Sequence, residues 1–149
     1  MSSYRLPALA ALIVVAAASA LGAQGRITLS QYTYQTAKTP PFNGQLALYA
    51  PDIVSSNNQV RLPLTVNVLI GNGRRPFATD TGSMQPQEFS AYVSRLTAMK
   101  MVRVIPFRIG KKGEALTFEY LSRQYVLTVT DLVACRGCDD RVILTLQPK

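Results

Sequence analysis

From Val60 to Ile70 the even positions read Val60, Leu62, Leu64, Val66, Val68 and Ile70, while the odd ones read Arg61, Pro63, Thr65, Asn67 and Leu69. A helix would scatter that apolar set around its axis. A strand gathers it on one side, because successive side chains point to opposite faces of a sheet. The segment is therefore expected to be a strand with one face buried and one wet. Pro63 cannot donate to a ladder, which places part of the strand at an edge.

The same period recurs along the chain. Met101, Arg103, Ile105, Phe107 and Ile109 alternate with Val102, Val104, Pro106 and Arg108, with less clear sidedness. Leu116, Phe118 and Tyr120 share one face, and Tyr125, Leu127 and Val129 share another, with Leu121 to Gln124 as a tight hairpin link between them. Val142, Leu144 and Leu146 make a last strand, and β-formers fill Ile27 to Thr36 and Gln45 to Ala50. Turn chemistry separates these runs at Pro40-Pro41, Asn43-Gly44, Ser55 to Asn58, Gly71-Asn72-Gly73 and Gly110 to Gly113. One segment breaks the rhythm. Pro86 to Ala98 spaces Phe89, Tyr92, Val93 and Leu96 by threes and fours behind an initial proline, which predicts a helix covering an open end or face of the sheet.

About seven strands and one short helix (residues 86–98) predict an all-β, mainly antiparallel domain, a β-sandwich of the immunoglobulin-like or C2-like kind. An OB-like barrel is the alternative, since it too places its helix between the third and fourth strands. An eight-stranded outer-membrane barrel would fit the length, but the strand from Gln45 to Ala50 is too short to cross a bilayer.

A chain of 149 residues, 48% of them hydrophobic, has room for one domain with its own core. Residues 1–20 are set apart from it. Arg5 precedes an apolar run from Leu6 to Ala18, and Ala18-Ser19-Ala20 has the small-x-small form that a signal peptidase accepts. The run is short for a membrane anchor, which needs about 20 apolar residues. Cleavage within about residues 20–25 then leaves 21–149 as a single β-rich domain, secreted or periplasmic, and not an integral membrane protein. Eleven arginines against five lysines lean toward a bacterial source.

Without Arg5 the chain keeps 15 Lys/Arg against 8 Asp/Glu, a net +7. A basic exported protein meets acidic polymers such as nucleic acid, envelope glycans and anionic lipid heads. Along the sequence, however, the cations are scattered, and their largest clusters are the pairs Arg74-Arg75 and Lys111-Lys112. Scattered charge of this kind usually serves solubility.

The chain has no histidine, which removes every Ser-His, Cys-His and His-metal mechanism. Cys135-Arg136-Gly137-Cys138 is its most specific motif. A dithiol oxidoreductase would set such a pair at a helix N-terminus. Here Asp139-Asp140 and a last strand follow, so a structural disulfide across a hairpin loop is the expectation. Asp80-Thr81-Gly82-Ser83 resembles the catalytic loop of aspartic proteases, and the resemblance implies a dimer supplying a second aspartate. It covers four residues and lacks the apolar strand end before the motif. A turn leading into the helix accounts for the same residues. Asp131, Asp139 and Asp140 have oxygen ligands for calcium but no EF-hand spacing.

These readings converge on an exported, non-enzymatic binding or assembly module with no cofactor, no metal and no catalytic residue. Its partner would be an envelope or extracellular protein or glycan. Loops at one end of the sandwich, Gly71 to Met84 and Ala134 to Asp140, would carry the contacts through Arg74, Arg75, Asp80, Arg136, Asp139 and Asp140. The alternative is a barrel binding single-stranded nucleic acid or anionic glycan, with Tyr32 and Tyr34 on one strand face as a stacking pair.

Overall fold

In a computed structural model, which describes residues 25–73, 77 and 81–149, the strands sort into two antiparallel sheets rather than one closed barrel. The first sheet has the order β1 (Arg26–Ser30), β11 (Arg141–Pro148), β10 (Arg123–Val133), β9 (Ala115–Tyr120). The second has the order β7 (Thr81–Ser83), β2 (Thr33–Ala37), β3 (Leu46–Tyr49), β6 (Leu64–Gly71), β8 (Val102–Ile109). A two-residue pair, β4 (Ser55–Ser56) with β5 (Gln59–Val60), completes the set, and one helix, α1 (Pro86–Ala98), is present among the described residues. The architecture is the expected all-β sandwich, with more and shorter strands than the sequence suggests.

Between the sheets lies one core cluster that includes Leu29, Phe42, Leu48, Val66, Val68, Ile109, Leu127 and Leu144. A second cluster sits on the outer face of the second sheet. There Phe89 and Leu96 of α1 cover Ala47, Tyr49, Leu69 and Val102. The helix therefore makes a third layer, and the middle sheet is buried on both faces where the helix lies. This explains the weak sidedness of β8: Val102 and Val104 face the helix, while Ile105, Phe107 and Ile109 face the other sheet.

Three expectations for the run from Val60 to Ile70 are corrected. The strand beginning at Val60 starts instead at Leu64, just after Pro63, which has no N–H to donate to a ladder. β6 is flanked by β3 and β8 and so is not an edge. Leu69, on the face expected to be wet, is 1% exposed under the helix.

The run Ile27 to Thr36 is not one strand either. It breaks at Gln31-Tyr32, where Tyr32 takes φ 61°, and its halves join different sheets. The corner is pinned by Thr33 Oγ1, which donates to the Ser30 carbonyl at 2.7 Å and accepts from the Ser30 amide at 3.2 Å.

Candidate functional site

The strand registers define two ends. At one, Ser30, Val133 and Arg141 lie level across the first sheet, and Asp139 and Asp140 lie beside Ser30, Gln31 and Thr33 around a shallow pocket of about 370 Å³. At the other, Tyr125 pairs with Pro148, and Pro40, Pro41 and Phe42 pack alongside. These are termed the cysteine end and the proline end.

The cysteine end holds most of the sequence candidates. Cys135 and Cys138 are disulfide-bonded, with Cα atoms 5.4 Å apart, in a loop joining the antiparallel β10 and β11. Gly137 at φ 81° allows the tight return, and Arg136 points from an exposed loop tip. The disulfide is the expected one. Asp131 sits on a bulge of β10, its Oδ1 accepting from the Leu132 amide at 2.9 Å and lying 3.7 Å from Lys112 Nζ. Among the described residues no three acidic or cysteine side chains gather into a metal site.

Other candidates do not assemble. Arg74, Arg75 and Asp80 lie outside the described residues, as do residues 1–24, on which the expected signal peptide falls. Gly71 pairs with Val102 at the proline end, so the loop that begins there starts at the opposite end from the cysteine loop. Only its far side, Thr81 to Met84, reaches the corner where the Met84 amide donates to the Tyr32 carbonyl. The tyrosine pair does not form: Tyr32 stands in the turn between sheets. Tyr34 packs against the helix-side cluster, with its ring centroid 6.4 Å from that of Phe77.

The proline end carries features that the sequence reading missed. Where β1 and β2 diverge from their shared corner, a cleft of about 330 Å³ opens between Arg26 and Thr28 on one wall and Thr36, Lys38 and Thr39 on the other. Phe42 and Leu146 close its floor, and both also line a second, more apolar cavity of about 270 Å³ with Pro40, Pro41, Arg123 and Pro148. Arg26, Lys38 and Arg123 border these cavities, and neither is lined by a carboxylate.

The same bias extends over the whole end. Lys100 follows α1, Arg103 lies opposite Ile70 near the end of β6, and the Lys149 amide donates to the Gln124 carbonyl. With Arg95 in the last helical turn, these cations are accompanied by one described acidic side chain, Glu119. Asp52, Glu88, Glu114, Asp131, Asp139 and Asp140 all belong to the cysteine half, where Arg61, Arg108, Lys111, Lys112, Arg136 and Arg141 match them in number. Scattered along the chain, the cations are segregated in space. The net positive charge of the described residues is concentrated in the proline half.

This end also shows apolar tips. Leu121 is 73% exposed and Met99 61% exposed. Leu121 and Ser122 form the two-residue turn between β9 and β10, both with positive φ (49° and 65°). On the flank between them, Arg103 Nη2 donates to the Glu119 carbonyl at 2.9 Å, tying the edge of one sheet to the edge of the other. No protein-family model, curated protein or solved structure matches the chain.

Proposed function

We propose that this protein is an exported, non-enzymatic β-sandwich domain that acts as a binding or assembly module of the bacterial envelope or extracellular space, and that it engages its partner through the proline end. The observation that carries the reading is the segregation of charge. A net positive charge that, among the described residues, is concentrated at one end, with clefts lined by Arg26, Lys38 and Arg123 and by no described carboxylate, makes a complementary surface for an anionic partner. The small-x-small motif after an apolar run supports export, and the absence of histidine leaves no Ser-His, Cys-His or His-metal mechanism open.

The test pairs two charge reversals. Arg26→Glu with Arg123→Glu alters the proline end, and Lys111→Glu with Lys112→Glu makes the same charge change on the cysteine half. Retention on a sulfated-glycan column, and binding to acidic envelope proteins, should fall for the first variant and stay near wild type for the second. Equal effects of the two, or no retention of the wild type at low salt, would reject the reading. A hydrolase or reductase activity abolished by mutating one acidic or thiol residue would reject its non-enzymatic part.

A further inference from the structure

We infer that the surface met by the proline end is an anionic lipid bilayer, into whose headgroup boundary Leu121 and Met99 insert. The inference rests on the proposed role of that end and names its partner. Of the three large hydrophobic side chains exposed among the described residues, Leu121 and Met99 lie at the proline end, and Val54 lies elsewhere. Leu121 is the more telling. A two-residue hairpin turn with both φ values positive is ordinarily built from Asn-Gly, because a side chain with a bulky Cβ substituent is disfavoured in the left-handed region. Here a leucine takes that conformation and is held in solvent at the turn tip. Folding alone would favour asparagine at this position. A leucine there gains once its side chain leaves water, and an unusual backbone conformation at a tip is where such a role is looked for.

The kind of surface follows from the arrangement of charges and tips. A protein partner is recognised by a contiguous apolar centre with a polar rim. The proline end has the reverse: separated apolar tips on an end that carries Arg26, Lys38, Lys100, Arg123 and Lys149, with exposed Pro40, Pro41 and Pro148 beside Arg123. Single apolar side chains dipping below a plane of anionic headgroups, with cations held at the headgroup level, fit that pattern. The Arg103–Glu119 tie fixes the β9 edge, which runs into the Leu121 turn, against β8, which follows the helix end bearing Met99.

Flotation with vesicles tests this directly, using the full chain in every arm so that the N-terminal segment contributes equally. Vesicles of phosphatidylglycerol in phosphatidylcholine should carry the wild type, and pure phosphatidylcholine vesicles should carry it much less. Leu121→Asn should weaken binding about tenfold, the scale set by withdrawing one leucine side chain from an apolar phase, while its melting temperature holds or rises. Val54→Asn, at the third exposed site, should leave binding unchanged. Unchanged flotation of Leu121→Asn would overturn the inference. Binding of the wild type to heparin, with no dependence on Leu121 in the vesicle assay, would keep the basic end as a binding surface and reject lipid as its partner. Failure to bind either probe would remove both.

Discussion

Tyr34 folds its ring across Gly82, its direct partner on the neighbouring strand β7, so that a Cβ at position 82 would fall within the ring. An aromatic side chain laid over a cross-strand glycine seals the backbone of a short edge, and here it also covers the rim of the helix-side core next to Phe77. Gly82→Ala must push Tyr34 off that cluster or break the β7 pairing. The expected loss is about 1–3 kcal/mol, as for other overpacked sites. A thermal melt lowered by several degrees would agree with it, and an unchanged melt would show that Tyr34 swings away freely.

The disulfide invites the opposite expectation. Cys135 and Cys138 close a ring of four residues, and so small a ring removes little freedom from the unfolded chain. Replacing both by serine should cost less than about 2 kcal/mol and leave the two sheets intact. Mass spectrometry with and without reductant reads the bond, and thermal melts of the double variant read its contribution. Collapse of the fold would mean that the loop organises the β10–β11 pair.

What was legible in the sequence was whatever depended on neighbours in the chain. The helix spans Pro86–Ala98 as its spacing predicts, because an initial proline and an apolar stripe are local signals. The β10–β11 hairpin followed from a link too short for a parallel return. What was not legible depended on partners distant in sequence. Nothing in Ile27 to Thr36 says that its two halves pair with β11 and β3 in separate sheets. Cations far apart in sequence, such as Arg26 and Arg123, meet at one end only because the registers bring them there. One local clue was available: Leu121-Ser122 stands in a hairpin link without the usual asparagine or glycine.

Leu69 separates a sandwich covered by a helix from a sheet with a wet outer face. On the alternation alone it would point to water, and its truncation would cost no more than about 0.5 kcal/mol, as at other surface sites. In the fold it is 1% exposed between β6 and α1. Leu69→Ala should therefore cost about 2–5 kcal/mol, the range for emptying a leucine site in a core. Thr65→Ala, on the same strand face but only partly buried, should stay within about 0.5 kcal/mol. Equal, small effects at both positions would mean that the helix does not pack where the structure has it.

Tyr49 makes the same interface sensitive to alkali. Its side chain is 0% exposed, its ring stacks on Phe89 of the helix with centroids 3.7 Å apart, and its hydroxyl donates to the Met84 carbonyl at 2.5 Å. Burial, with smaller contributions from Tyr32, Asp52 and Glu88, pushes its pKa from the ordinary 10 up to about 12. Burial also raises Tyr92 and Tyr120. The neutral phenol is favoured by the fold, so this contribution is complete below the unfolded pKa of 10 and is lost as pH climbs through about 12. Stability should therefore fall across that alkaline interval. Tyr49→Phe has no proton to lose there. It should be less stable at neutral pH by about 1–3 kcal/mol, because the Met84 carbonyl loses its partner, yet show a shallower decline above pH 10. Denaturant melts of both proteins from neutral to strongly alkaline pH measure the two slopes, and parallel curves would exclude Tyr49 as the titrating group.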